Sequence, residues 1–490
     1  MAYLLSLDAG TTSNRAILFD DSGNPIATHQ IELTQSFPAD GWVEHDGAEI
    51  MDGLIQSGRE AIAKAGIQAS QVAALGVTNQ RETTLVWDRA TGQPIYPAIV
   101  WQDRRTADWC DQLKAAGHEA RVQSKTGLLL DPYFSATKAS WILDQVPGAR
   151  ARAEAGELAF GTVDSFVMWH LTLGRTHKIE ATNAARTLLF NIDTQEWDDE
   201  LLALFKVPRA VLPEVCDSAG ELAVVDASVW GHEIPLTGVA GDQHAALIGQ
   251  AGLQPGMLKS TYGTGCFMIA NTGTQRLESD QRLLSTLAYR MEGQVTYALE
   301  GAIFNVGTAI QWLRDNLKLF SDASETQAMA EQAKADNVYM VPAFTGLGAP
   351  WWDANARGVL CGLTRDTGPN EIVRAALEAA AYQTADLTHA MAADGQPVNH
   401  IRVDGGMVVN DWFCQALANM TGATIDRPKV TETTALGAAL LAAVGAKLFP
   451  DLETACAHWQ LDRRFESELP DSERKQSLAG WKKAVARAQI

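Results

Sequence analysis

The feature that most constrains the fold is a polar turn between two apolar segments at the start of the chain. Residues 3–7 are mostly apolar and lead into Asp8, a Gly-Thr-Thr-Ser turn follows at residues 10–13, and residues 16–19 are apolar again. Two strand-like segments joined by a short turn of glycine and hydroxyl residues predict a β-hairpin. The glycine allows close approach of a ligand, and the residues after it offer a cluster of donors suited to phosphate oxygens. The donor residues of this first hairpin are Thr11, Thr12 and Ser13.

Two charged residues stand beside this turn. Arg15 supplies a positive charge for a phosphate, and Asp8 at the end of the first strand can hold a hydrated Mg²⁺. An ordinary N-terminal hairpin with a polar turn remains an open alternative on this stretch alone.

A second stretch of the same kind begins near the middle of the chain. Residues 258–270 again place a Gly/Thr turn between two strand-like segments, directly after Gln254-Pro255-Gly256. A chain of 490 residues is too long for one core and suggests two or three domains, and the repeated hairpin favours two. We therefore predict two domains, residues 1–250 and 251–490, whose hairpins grip a polyphosphate from both sides of a cleft. The alternative is a coincidence of two polar turns.

Composition excludes several classes of partner. The formal net charge is −20 and no Lys/Arg run stands out, so we expect neither nucleic acid nor an anionic membrane as a partner. The six cysteines are scattered, which predicts reduced thiols in a cytoplasmic protein. The longest apolar stretch, residues 435–446, is too short to span a bilayer, and no signal peptide is visible. Phosphate-loop, dinucleotide-fingerprint, zinc-protease and hydrolase-elbow motifs are absent from the sequence.

Candidate site residues follow strand-like segments in the first half. Arg81-Glu82 and Trp101 each come after such a segment, and ligands of open α/β sheets bind beyond strand ends. A surface ion pair and a rim aromatic are the alternative interpretation. Asp242 follows a strand of small residues at a strand-to-helix turn, where a carboxylate acts either as a helix cap or as a general base. In the second half, the Gly-Gly turn at residues 405–406 leaves bare backbone for a nucleoside, with Asn410 as a hydrogen-bonding residue.

These blocks, taken in order, resemble the FGGY carbohydrate kinases, and among them the members that phosphorylate glycerol. The most specific blocks are residues 41–46 (GWVEHD), 78–83 (TNQRET), 99–102 (IVWQ), 131–135 (DPYFS) and 262–267 (YGTGCF). The resemblance implies an α/β fold of two ribonuclease H-like domains, as in actin and the heat-shock ATPases, with an interdomain active-site cleft. It further implies ATP-dependent phosphorylation of glycerol to sn-glycerol 3-phosphate, with Mg²⁺, in a homodimer or homotetramer.

The resemblance also assigns roles to residues of this chain. Asp242 is expected to be the general base and, with Asp8, to serve the metal. The residues expected to hold glycerol are Arg81, Glu82, Trp101, Tyr133, Asp242, Gln243 and Phe267. The residues expected to contact the nucleotide are Thr11, Thr12, Ser13, Arg15, Thr264, Gly307, Gln311, Gly406 and Asn410.

The sequence departs from the commoner family pattern at three positions. Ala9 and His244 each replace a glutamine, and we interpret His244 as a packing histidine. Glu233 stands where some relatives carry an arginine for fructose 1,6-bisphosphate, which predicts insensitivity to that inhibitor. Two alternatives remain: a kinase for another polyol or a ketose, and an actin-like ATPase that transfers no phosphoryl group.

Overall fold

Two mixed β-sheets form the framework of the protein, which a computed structural model describes for residues 2–334, 337–353 and 355–489. The first sheet has six strands, in spatial order Ala219–Val225, Ile234–Gly241, Val72–Asn79, Tyr3–Ala9, Ser13–Phe19 and Pro25–Glu32. The second has seven, in spatial order Leu284–Met291, Gln294–Ile303, Cys266–Gly273, Leu258–Tyr262, His400–Asp404, Thr424–Pro428 and Leu461–Phe465. Short strand pairs outside these sheets are Glu44–His45 with Ala98–Ile99, Leu85–Asp88 with Leu158–Gly161, Lys178–Glu180 with Glu214–Cys216, Phe190–Asn191 with Glu196–Trp197, and Tyr339–Val341 with Val359–Cys361.

The two sheets share the arrangement of strands around their hairpins. In the first, the hairpin strand Tyr3–Ala9 pairs antiparallel with Ser13–Phe19 and parallel with Val72–Asn79. In the second, Leu258–Tyr262 pairs antiparallel with Cys266–Gly273 and parallel with His400–Asp404. Both predicted hairpins are therefore present, and each opens its own sheet. The predicted α/β fold with two ribonuclease H-like units is confirmed.

Helices cover the sheets and connect their strands. In the first half they are Gly47–Lys64, Ala107–Ala115, Glu119–Thr126, Ser135–Gln145, Ala149–Glu154, Val163–Leu171, Ala181–Ala184, Asp199–Phe205, Ala227–Trp230 and Asp242–Gly249. In the second half they are Gly307–Asp315, Glu325–Gln332, Pro369–Ala393, Asp411–Thr421, Thr433–Gly445, Leu452–Ala455 and Asp471–Ala488. No helix in the described ranges combines the length and apolar character needed to cross a bilayer.

Alternating side chains of the strand Tyr3–Ala9 are buried on opposite faces of the first sheet. Leu5 and Leu7 pack with the helix Gly47–Lys64, whereas Leu4 packs with the small-residue helix Thr433–Gly445. A strand buried on both faces reads as a continuous apolar run, which is the pattern that predicted it.

The small-residue helix Thr433–Gly445 crosses from the second half of the chain onto the first sheet. The backbones approach closely there: a Cβ on Gly76 would collide with the carbonyl group of Ala438. The predicted division between residues 250 and 251 falls after the last strand of the first sheet, and it stays a prediction.

Candidate active site

Asp242 lies where the strand Ile234–Gly241 passes into the helix Asp242–Gly249. Its Oδ1 accepts a hydrogen bond from the backbone N–H of Gln243 at 2.7 Å and lies 3.2 Å from Arg81 Nε. The side chain is 29 % exposed, so an incoming ligand can reach it. Burial raises the pKa of the carboxyl group to about 6; the charge of Arg81 opposes this shift and that of Glu82 adds to it. A carboxylate with a raised pKa is suited to accept a proton near neutral pH.

Arg81 and Glu82 follow the neighbouring strand Val72–Asn79. This strand and the strand before Asp242 are parallel, with Asn79 opposite Gly241, so their carboxyl ends meet at one edge. Arg81 Nη2 lies 3.4 Å from the hydroxyl oxygen of Tyr133. Parallel pairing thus explains why residues about 160 positions apart in sequence share one site.

Three aromatic side chains form a wall beside this edge. The ring centroid of Trp101 lies 5.7 Å from that of Tyr133 and 5.9 Å from that of Phe267, in edge-on geometry. The Arg81 guanidinium lies 5.8 Å from the Phe267 ring centroid. Trp101 Nε1 donates to Thr11 Oγ1 at 3.0 Å, which connects the wall to the turn of the first hairpin. The wall therefore contains residues from both halves of the chain.

Gln243 has a partner that sequence reasoning missed. Its Oε1 accepts from Lys259 Nζ, which also donates to Thr261 Oγ1 at 2.8 Å. Burial lowers the pKa of Lys259 to about 8, although Asp404 and Asp242 favour its charged form. His244, on the same helix as Gln243, is fully buried, as expected of a packing histidine.

Two further charged residues, Glu300 and Arg186, were also missed. Glu300 accepts from Arg81 and from Arg186, and Arg186 Nε donates to Glu82 Oε1 at 2.6 Å. All four side chains are at most 2 % exposed. Burial raises the pKa of Glu300, but the Arg186 and Arg81 guanidinium groups outweigh it and hold that pKa below its ordinary value.

The first hairpin presents its turn to solvent at Thr12, while its charged residues pair with each other. Arg15 Nη2 donates to Asp8 Oδ2 at 2.7 Å, and Nη1 lies 2.5 Å from Glu432 Oε2. Burial lowers the pKa of Arg15, but the two carboxylates outweigh it and raise that pKa. No group of three or more His, Cys, Asp or Glu residues within the described ranges forms a metal cage. Mg²⁺ commonly binds through one or two carboxylates plus water and substrate phosphates, so the assignment of Asp8 and Asp242 stays a prediction.

The start of the helix Gly307–Asp315 is hydrogen-bonded to the turn of the second hairpin. The N–H of Gly307 donates to the Gly263 carbonyl at 3.0 Å, and that of Thr308 donates to the Thr264 carbonyl at 3.2 Å. A Cβ on Gly307 would lie 2.5 Å from the Gly263 carbonyl oxygen, so packing alone requires this glycine. Gln311 is exposed on the same helix.

Gly406 and Asn410 differ in what their surroundings require. A Cβ on Gly406 would meet no atom of the described residues within 4 Å, and its φ lies outside the left-handed region. Asn410 caps the helix Asp411–Thr421 by accepting from Phe413 N at 3.0 Å, and it also donates to Thr326. Gly406 thus needs neither a special φ nor close packing for its glycine, and its assignment to the nucleotide site stays a prediction.

This arrangement, a raised-pKa carboxylate beside an arginine and an aromatic wall, between two hairpins on ribonuclease H-like sheets, defines a sugar-kinase type of site. Residues 3–249 match the N-terminal domain, and residues 258–446 the C-terminal domain, of the FGGY family of carbohydrate kinases. The chain belongs to this family.

Among known proteins, the chain is similar over its full length to several glycerol kinases. The chain is 60 % identical to glycerol kinase 1 of Pseudomonas aeruginosa and 58 % identical to the glycerol kinase of Ectopseudomonas mendocina, over 99 % of each chain. The structure of Plasmodium falciparum glycerol kinase with ADP is similar at a TM-score of 0.92 and 34 % identity, over 100 % of this chain and 99 % of that one. A xylulose kinase of Rhodospirillum rubrum, at a TM-score of 0.85 and 22 % identity over 99 % and 98 % of the two chains, shares the fold.

Proposed function

We propose that this chain is an ATP-dependent kinase that converts glycerol to sn-glycerol 3-phosphate. The observation that carries the proposal is the placement of Asp242 beside Arg81, Tyr133 and the aromatic wall, at the edge where the two halves meet. The full-length relatives named glycerol kinase support the same substrate.

The acceptor site has the polarity that a triol requires. Arg81 donates hydrogen bonds, Glu82 and Asp242 accept them, and Tyr133 can do either. Trp101 and Phe267 offer apolar faces to the carbon chain of glycerol. Their rings also exclude water, which would otherwise compete as the phosphoryl acceptor.

The chemistry needs one base and firm positioning. Asp242 accepts the proton as the terminal hydroxyl oxygen of glycerol bonds to the γ-phosphorus, and the bond to the β–γ bridging oxygen breaks to release ADP. On the nucleotide, Thr11, Thr12, Ser13 and Arg15 are proposed to act from one side, with Thr264, Gly307, Gln311, Gly406 and Asn410 on the other. Bound Mg²⁺, held near Asp8 and Asp242, would neutralise phosphate charge.

A coupled ADP-release assay over a panel of polyols and ketoses, with a control lacking acceptor, tests the proposal. We expect rapid release only with glycerol. Faster turnover with another polyol or a ketose would identify a different FGGY kinase, and equal release without acceptor would identify an ATPase that transfers no phosphoryl group.

We also propose a cellular location and an oligomeric state for the protein. All six cysteines are unpaired thiols, which supports the proposed cytoplasmic location. A homodimer or homotetramer is proposed from the family resemblance, and light scattering coupled to size-exclusion chromatography measures it directly.

A further inference from the structure

A buried chain of ion pairs connects the acceptor site of the first half to a strand of the second sheet. Glu300 lies on the strand Gln294–Ile303, opposite Ile269 and Leu284. Its carboxylate receives both terminal nitrogens of Arg81, with the Nη2–Oε1 distance at 3.0 Å. The Glu300 side chain has no exposure and that of Arg81 only 2 %, so solvent does not compete with this pairing.

This two-point contact determines how Arg81 faces the acceptor site. With both terminal nitrogens engaged by Glu300, the guanidinium plane is oriented, and Nε is left to contact Asp242 at 3.2 Å. Arg81 Nη2 also lies 3.4 Å from the hydroxyl oxygen of Tyr133. A bidentate arginine–carboxylate pair adds geometric definition as well as energy. The position of Arg81 therefore depends on a residue of the other half.

Arg186 connects Glu300 to Glu82 by hydrogen bonds to both carboxylates. Its Nη2 donates to Glu300 at 3.0 Å and its Nε donates to Glu82 at 2.6 Å. Two guanidinium groups and two carboxylates thus balance in charge within a buried cluster. Arg186 Nη1 is buried and has no hydrogen-bond partner among the described residues. Glu82 is therefore oriented by Arg186, which in turn contacts Glu300 on the second sheet.

We propose that Glu300 and Arg186 are positioning residues of the acceptor site: Glu300 holds Arg81 across the two halves, and Arg186 holds Glu82 while it also contacts Glu300. This inference rests on the proposed function, because it concerns how strongly the acceptor binds. It differs from a purely structural ion pair, which would stabilise the fold without a selective effect on one substrate.

Variants that keep every charge separate these two roles. Glu300→Asp shortens the carboxylate by one methylene, and Arg186→Lys replaces a planar fork by a single ammonium group. Asp217→Glu is the matched control, because it also keeps the charge, and Asp217 forms another ion pair between the halves, 2.5 Å from Arg290 Nε, with no site residue involved. We expect the KM for glycerol to rise at least roughly tenfold in both site variants, with the KM for ATP changed less than about threefold. The control should lower thermal stability and leave both KM values unchanged.

Wild-type KM for glycerol in soluble Glu300→Asp or Arg186→Lys protein would overturn the inference, as would an equal rise in both KM values. Glu300→Gln offers a third comparison, since it removes the charge while keeping the length. A wild-type protein inactive with glycerol would instead overturn the proposed function, and the acceptor found in the polyol panel would then replace glycerol in the comparison.

Discussion

Replacing Asp242 by Asn should nearly abolish turnover while leaving the fold intact. The amide oxygen of Asn can still accept from the backbone N–H of Gln243, so the start of the helix Asp242–Gly249 keeps its contact. It cannot accept the proton of the attacking hydroxyl. A positioned general base contributes roughly 10²–10⁴ in rate, which corresponds to about 3–5 kcal/mol of activation free energy. The KM for ATP should stay near the wild-type value.

The same substitution should also increase the free energy of unfolding at neutral pH. The pKa of Asp242 is raised from 3.8 to about 6 in the folded state, mainly by burial, so ionising this group disfavours the fold. That shift corresponds to roughly 3 kcal/mol above pH 6, and this is an upper bound because the carboxylate keeps 29 % exposure. Below the folded pKa the wild-type group takes up a proton and the cost falls, disappearing near the unfolded pKa. The stability advantage of Asp242→Asn should therefore be full above pH 6 and vanish as the pH approaches about 4.

Steady-state kinetics and thermal melts at pH 7.5 and pH 4.5 measure both effects on the same two proteins. A variant that keeps near-normal kcat with glycerol would refute the assignment of the base. A variant less stable than wild type at pH 7.5 would refute the electrostatic reasoning, because it would show that Arg81 gains more from the carboxylate than burial costs.

Three further predictions concern the acceptor, the nucleotide and regulation. With 1,3-propanediol, which cannot fill the middle hydroxyl contact, kcat/KM should fall at least about 10²-fold relative to glycerol, and comparable values would contradict hydroxyl recognition by Arg81 and Glu82. Gly406→Ala should raise the KM for ATP at an unchanged melting temperature. Gly405→Ala should instead destabilise the fold, because Gly405 has a φ of +92° and its added Cβ would collide with Tyr262. The reverse pattern would exclude Gly406 from the nucleotide site. Fructose 1,6-bisphosphate titrated at low salt should not inhibit glycerol-dependent turnover, because the exposed Glu233 repels phosphate, and inhibition at sub-millimolar concentration would show this reasoning wrong.

Local patterns in the sequence were sufficient to predict the elements that the site rests on. Both hairpins match predictions from apolar runs and turn residues, and the strand-like segment before Arg81 is the strand Val72–Asn79. These patterns depend on residues a few positions apart, so strands and turns can be predicted from them without knowledge of the tertiary structure. The strand-like segment before Trp101 forms only the short strand Ala98–Ile99, because a turn closed by the Asp103 N–H and the Val100 carbonyl follows it.

The charged cluster was beyond such reasoning because its partners are far apart in sequence. Arg81 and Glu300 are 219 positions apart, and Arg186 and Glu82 are 104 apart, so no periodicity relates them. A weaker signal was present nevertheless. Glu300 and Lys259 each stand within a strand whose neighbours are small or apolar, and a charge in such a strand must find a partner on folding. A charged residue in a buried strand needs a partner, so its presence there indicates an ion pair or hydrogen bond even though the local sequence does not show with which residue. Here the partner comes from the opposite half of the chain.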